Sequence, residues 1–288
     1  PLRLVGSEMC IRDRSKIIPI WEDLERHPMN NRLSFLYVRF SNLDFVLPFN
    51  HNDCERLEID LSTSNQTKWI WNKKGFLQTD IKVSNLKDVQ TSLFFENFKI
   101  YDIQSKLEGL MNFHYRLGIR DGLGKSLPIM KWGEVLRGIV GEWELSYTND
   151  WVDETMIPIL SDIERKGIQV DREKFLDRWS THQKSLLLEN TFTEYNPYTI
   201  TSRPSNRHLG INYGALNKSD GSREVFVPRK GKLFLQFDYD AYHVRIIGKL
   251  IKYKLPSGSV HQWLADQYGC DYGAVSYTHL TLPTKRIV

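Results

Sequence analysis

A chain of 288 residues that is 41% hydrophobic and 12% aromatic, with eight Trp, can bury a core and is long enough for two modest domains, which excludes a disordered or low-complexity protein. No apolar run approaches the roughly 20 residues that a membrane helix needs, so no membrane partner is expected. The net charge of +4 says little about partners, and Cys10, Cys54 and Cys270 form neither a metal nor a disulfide pattern, which fits a reducing compartment.

Both ends read as foreign. The segments from Val5 to Arg14 and from Val275 to Val288 resemble translated sequencing-adapter sequence, so residues 1–14 and 274–288 are set aside and the protein is read from about Ser15 to Gly273. Leu33 to Phe40 and Leu43 to Phe49 are aromatic-rich strands flanking a turn at Ser41 and Asn42. Lys68 to Trp71 adds a strand after the polar loop Ser62 to Thr67. Ile103, Leu107, Leu110, Met111 and Leu117 share one helix face that Gly118 can end. Strands followed by helices predict an α/β unit over residues 15–148, with a boundary in the polar stretch Tyr147 to Asp153.

Beyond it, Met156, Ile159, Leu160 and Ile163 form an apolar helix stripe, with Pro158 in the first turn and Gly167 as the stop. Asp171 is the N-cap of a following helix that sets Phe175, Trp179 and Leu186 on one side. Tyr195 to Arg229 is rich in Asn, Pro, Ser and Gly and reads as loops with short strands.

The stretch from Gly231 to Arg245 is the most informative. Leu233, Leu235 and Phe237 alternate with Lys232, Phe234, Gln236 and Asp238, the pattern of a strand that ends on a carboxylate. A helix follows, with Ala241, Val244, Ile247, Gly248 and Ile251 on one face and Tyr242, Arg245, Lys249 and Lys252 on the other. That places a carboxylate at the end of a strand under a basic helix face, where a metal and a polyanion can meet.

Other motifs carry less. Asp121 to Ser126 resembles the end of a phosphate-binding loop, but Ile119 stands where the motif needs Gly, and the stretch follows a helix; it is a turn. The Asp-x-Glu pairs Asp23/Glu25 and Asp53/Glu55 are of the kind two-metal nucleases use, yet neither closes a convincing strand, and they read as surface. Asp102, just ahead of a helix, reads as an N-cap. The segment Arg203 to Lys232 holds seven cations against Asp220 and Glu224, a net of +5, which suits phosphate neutralisation beside Asp238. His261, at the start of another helix, decides nothing alone.

Taken together, these residues resemble the family A DNA polymerases. Thr201-Ser-Arg203-Pro-Ser-Asn206, Ile211-Asn-Tyr-Gly-Ala-Leu-Asn-Lys218, Arg223-Glu-Val-Phe226, Asp238-Tyr-Asp-Ala-Tyr-His-Val-Arg245 and Val260-His261 stand in the family's order and spacing. Glu154 to Asp171 is similar to the segment that leads into the polymerase domain. The resemblance covers residues 154–269 strongly. It implies an α+β chain: an RNase H-like, 3′–5′ exonuclease-like α/β domain over 15–148, a linker and reduced thumb over 149–195, and a partial polymerase palm over 196–273.

Further implications concern the site. The resemblance makes Asp238 the catalytic carboxylate and, with the Tyr239 carbonyl, a ligand to Mg²⁺. Tyr239, Tyr242, His243 and His261 would bind the nucleotide, and Arg203, Asn212, Lys218, Arg223 and Arg245 the DNA. Primer–template DNA and dNTPs are the implied partners, a processivity factor is allowed for, and the cytoplasm of a bacterial or phage-infected cell is the implied location. The chain departs from the family at His243, where Glu is usual, at Asp240, where a small hydroxyl residue is usual and where a surface-facing side chain is expected, and at Ser202 and Pro204. The second metal carboxylate of the family is not matched, so the 288-residue chain is expected not to extend a primer. The exonuclease motifs are not matched either, and a structural role is expected for that domain. The competing readings are a non-catalytic nucleic-acid-binding module and a 3′–5′ exonuclease built on residues 15–148.

Overall fold

The apolar runs around Ile18 and Phe35 are buried on both faces, which puts them at the centre of a sheet. That sheet comprises β1 (Ser15–Trp21), β2 (Leu33–Phe40), β3 (Leu43–Pro48), β4 (Lys68–Ile70) and β5 (Leu86–Asp88), in the order β3-β2-β1-β4-β5. β2 runs antiparallel to both β1 and β3, whereas β1, β4 and β5 are parallel. The helices of this region are α1 (Lys73–Phe76), α2 (Val89–Asn97) and α3 (Ile129–Gly141).

The strand period of two sorts the core. Ile18, Ile20, Phe35, Tyr37 and Trp69 join Val135, Leu136, Ile139 and Val140 of α3 on one face. Ile17, Leu36, Val38 and Ile70 join Phe49, Leu61, Phe76 and Leu86 on the other. Lys16 Nζ donates to the carbonyls of Val140 (3.1 Å) and Trp143 (3.0 Å), which satisfies the C-terminal end of α3. The expected strands at Leu33, Leu43 and Lys68 are thus present, the second ending at Pro48 and the third at Ile70.

The structure, a computed structural model, describes residues 15–21, 33–40, 43–49, 60–101, 103, 129–145, 149–200, 203–206, 211–217, 219–237 and 239–273; for 129–132, 184 and 185 it describes the backbone alone. The expected helix from Ile103 to Leu117 lies outside the described residues, Ile103 excepted, as do Asp23, Asp53, Glu55 and Asp102. The chain forms two units, Pro1–Arg229 and Lys230–Val288. No described helix is long and apolar enough to cross a membrane.

The loop before β4 wraps a cation. Lys68 Nζ donates to the carbonyls of Ser64 (2.6 Å), Gln66 (3.0 Å) and Ser84 (3.0 Å), and Ser84 Oγ donates to Ser62 and Ser64.

Charge is buried at the end of β4 and β5. Asp88 caps α2 by accepting from Thr91 N (2.7 Å), and it also accepts from Lys73 N (2.9 Å) and Tyr198 Oη (2.7 Å). Asp153 accepts from Asp88 N (2.7 Å) and lies 3.4 Å from Lys73 Nζ. Lys74 Nζ donates to Glu164 (2.6 Å) and to the Tyr195 carbonyl, while Glu164 also accepts from Tyr195 N (2.6 Å) and Gln78 Nε2 (2.9 Å). Burial pushes the Asp88 and Glu164 carboxyls above the usual range, against the pull of these donors.

This network ties the sheet to the next segment. A π-helical turn (Trp151–Met156) leads into α4 (Ile157–Lys166), with Pro158 in its first turn as expected. Met156 and Leu160 are buried, but Ile159 and Ile163 are 54% and 41% exposed, so the expected stripe is half right. The buried face instead carries Ile157, Ser161 and Glu164, because it packs on the polar edge of α1; Ser161 Oγ donates to the Lys74 carbonyl (2.8 Å). Gly167 ends α4 at φ +58, and a Cβ there would lie 2.7 Å from the Phe192 ring.

β6 (Ile168–Gln169), β7 (Leu186–Leu187) and β8 (Asn190–Thr191) form a small sheet in the order β6-β8-β7. Asp171 caps α5 (Arg172–Arg178) by accepting from Glu173 N and Lys174 N. The helix is shorter than expected: Trp179 leaves helical geometry at φ −130, and a 3₁₀ segment (Ser180–Ser185) follows. β9 (Tyr195–Asn196) pairs with β10 (Ser205–Asn206) among loops. Val170, Phe175, Ile211 and Val225 make the local core.

In the second unit the expected strand over Leu233 to Phe237 is not formed. Those residues have no secondary structure, and Leu233, Leu235 and Phe237 are 85%, 77% and 88% exposed. A strand needs a neighbour, and no described residue pairs with this one. The expected helix is present as α6 (Tyr242–Leu250), followed by α7 (Val260–Tyr268). Its buried residue is Gly248, where a Cβ would lie 2.8 Å from Leu255; Ile247 and Ile251 of the expected apolar face are exposed.

Lys74→Met strands Glu164 without its cation, and a loss of about 3–5 kcal/mol in urea unfolding is expected; adding Glu164→Leu recovers part of it. A loss within about 1 kcal/mol, the size of a solvent-exposed pair, would remove this ion pair from its anchoring role.

Candidate functional site

The polar loops of the first unit leave several of the expected contact residues open to solvent. Arg203 is exposed, and its carbonyl accepts from Thr199 Oγ1 (2.9 Å). Asn212 caps the 3₁₀ turn Tyr213–Ala215 by accepting from Gly214 N (3.1 Å), and Asn206 Oδ1 accepts from the same N–H (3.0 Å). Asn212 is therefore a loop-building residue as well as an exposed one. Arg223 sits in the 3₁₀ turn Ser222–Val225, and its guanidinium rests on the Leu216 carbonyl at 3.3 and 3.4 Å while staying exposed. Lys218 lies outside the described residues. Arg229 is exposed and donates to the carbonyls of Lys166 (2.6 Å) and Gly167 (3.1 Å) at the end of α4.

In the second unit, Tyr239, Tyr242 and His243 form an aromatic group in solvent. The Tyr239 and Tyr242 rings are 5.4 Å apart at 45°, and those of Tyr242 and His243 are 5.6 Å apart at 74°. Tyr239 is 81% exposed, far from the habit of a packing residue. The group surrounds the start of α6, which Ala241 opens in the left-handed region at φ 47 with no side-chain cap.

Arg245 is engaged within the second unit. Its guanidinium donates to the carbonyls of Asp240 (3.0 Å), Pro256 (2.9 Å) and Gly258 (2.7 Å) and to Asp240 Oδ2 (2.7 Å). Asp240 Oδ2 also accepts from Val260 N (3.3 Å), the first N–H of α7. The Arg245–Asp240 pair is thus a clamp from the start of α6 to the start of α7. The Asp240 side chain is exposed, as expected, and it also has a structural task, because the Arg245 guanidinium donates to both its carboxylate and its carbonyl. The Arg245 hydrogen bond, with the Val260 N–H and the guanidinium charge, holds the Asp240 carboxyl below its usual range. The Asp and Arg five positions apart around a helix start were the available sequence signal for this clamp.

His261 follows Val260 directly. Its ring meets Tyr272 edge-on at 6.2 Å, and its Nδ1 is buried with no hydrogen-bond partner among the described residues. Asp238 lies outside the described residues. Among the described residues no group of three His, Cys, Asp or Glu side chains could hold a metal ion, and Asp240 spends its Oδ2 on Arg245 and Val260. The described side chains therefore do not supply a metal site, and a Mg²⁺ reading is carried by Asp238 through the resemblance.

Arg245→Ala is expected to return the Asp240 titration towards 3.8 and to loosen α7. Because a depressed carboxyl contributes its stability above the ordinary pKa and loses it as pH falls through the folded value, the clamp opens in the acid range below 3.8. An NMR titration of the Asp240 carboxyl that is the same in both proteins would remove the clamp as its cause. No protein-family model matches the chain, and no curated protein matches it either.

Proposed function

We propose that the chain is part of a DNA-templated DNA polymerase of family A type and that residues 196–273 bind primer–template DNA and dNTP. The observation that carries this is the order of five motif elements from Thr201 to His261. The exposure of the residues those motifs supply supports it: Arg203, Asn212, Arg223, Tyr239, Tyr242 and His243 face solvent rather than a core. Exposed arginines neutralise phosphates without reading sequence, and exposed aromatic rings stack on bases of any kind.

In this reading Asp238 and the Tyr239 carbonyl would hold Mg²⁺. The chemistry that the ion supplies when bound is a lowered pKa for the primer hydroxyl and charge neutralisation on the phosphates. This chain's own residues position the nucleotide: Tyr239, Tyr242 and His243 lie together around the start of α6, and the Arg245–Asp240 clamp fixes that start against α7.

For residues 15–148, the mixed five-stranded sheet is compatible with an RNase H-like domain in a structural role. Asp88, Asp153 and Glu164, the carboxylates buried at the edge of that sheet, are all engaged by protein donors and by Lys73 or Lys74. Those carboxylates fasten chain segments to one another.

Primer–template binding by this chain tests the reading. Arg203→Ala and Arg223→Ala should each weaken binding equally across DNA sequences and lower the slope of log affinity against log salt by about 1. Unchanged slopes in both variants would sink the assignment. In a longer chain that joins this segment to a second metal carboxylate, Asp238→Ala should abolish primer extension and keep binding, whereas a purely binding module would lose nothing.

A further inference from the structure

The segment from Lys232 to Phe237 carries two features that seldom survive together on a surface. Leu233, Phe234, Leu235 and Phe237 are apolar and exposed, from 59% for Phe234 to 88% for Phe237, and no described residue hydrogen-bonds to the backbone of the segment. It contains no Pro or Gly, and only Lys232 is charged. A short, β-prone, nearly uncharged run with free N–H and C=O groups is a template for another strand.

We infer that a second copy of this chain occupies this segment, pairing Leu233–Phe237 with itself as an antiparallel two-strand ladder about a twofold axis at Leu235. The sequence is self-complementary in that register. Leu235 meets Leu235, and Leu233 meets Phe237, so one face of the ladder is wholly apolar. Phe234 meets Gln236 on the other face. By sequence, the same register sets Lys232 towards Asp238, so the cation at one end of each strand faces a carboxylate at the other. A shift of one residue would mix the apolar face with the polar one, and a shift of two keeps the apolar face but sets either Phe234 against Asp238 or Lys232 against Gln236. A twofold contact is isologous, so it closes at a dimer and does not propagate. The inference does not rest on the polymerase reading, because it uses only the exposure, the free backbone and the register.

Sedimentation of the full chain over a range from low to high micromolar should show a mass that rises from 33.8 kDa towards twice that value. Leu235→Lys places two ammonium groups against each other on the axis and should hold the chain at the monomer mass throughout. The variant changes an exposed residue, so folding is expected to be kept and is checked by circular dichroism. Register is read by cross-linking in a background with Cys10, Cys54 and Cys270 changed to Ser. Directly opposed residues in an antiparallel pair lie about 4.5–5.5 Å apart at Cα, within disulfide reach. Under a mild oxidant Leu235→Cys should link to itself, and Leu233→Cys should link to Phe237→Cys in a mixture but not to itself. A wild-type chain that stays monomeric, a Leu235→Lys chain that associates as the wild type does, or cross-linking that is equal for all pairs would each overturn the inference.

Discussion

At one end of the five-stranded sheet, Lys73 and Lys74 face Asp153 and Glu164 with all four side chains nearly out of water. Moving any one of them there alone would cost several kcal/mol, so each is tolerable only with its partner in place. The partners come from far along the chain: Asp153 from the π-helical turn, Glu164 from α4, and the Tyr195 carbonyl and Tyr198 hydroxyl from the loop beyond. The sheet and residues 149–200 therefore cannot be assembled independently. Asp88 sits at the crossing point, as cap of α2, acceptor for Lys73 N and acceptor for Tyr198.

Legibility in the sequence followed the range of the interaction. β2, β3 and β4 could be read because alternating apolar residues report a half-local property, and Gly167 and Asp171 could be read because stops and caps are settled within a few residues. β1 was passed over: Pro19 argues against a central strand. It is tolerated because β4 pairs only with Ser15, Lys16 and Ile17, which asks no N–H of residue 19 on that side. α3 was hidden by Gly133 and Gly138, although Val135, Leu136, Ile139 and Val140 show its stripe. The buried lysines looked like surface residues, since nothing near Lys74 in sequence announces Glu164.

The candidate site shows the opposite pattern. Its residue types were legible, because Arg, Asn, Tyr and His at fixed spacing carry their own chemistry. What they hold onto was not. Arg245 and Asp240 stand five positions apart, but the carbonyls of Pro256 and Gly258 and the Val260 N–H come from a loop with no pattern of its own. The strand over Leu233 to Phe237 had the right alternation and still did not form. Alternation reports which face is apolar; pairing decides whether a strand exists.

The loop around Lys68 has a consequence of a different kind. Three carbonyl oxygens converge on one cation, as they do in loops that fold around a metal ion. Here the cation is covalently attached to the chain, so its effective concentration is set by the backbone and not by the solution. A chelator can strip a metal loop, and dilution can empty it. This loop always carries its own ion, and its order is independent of ion supply.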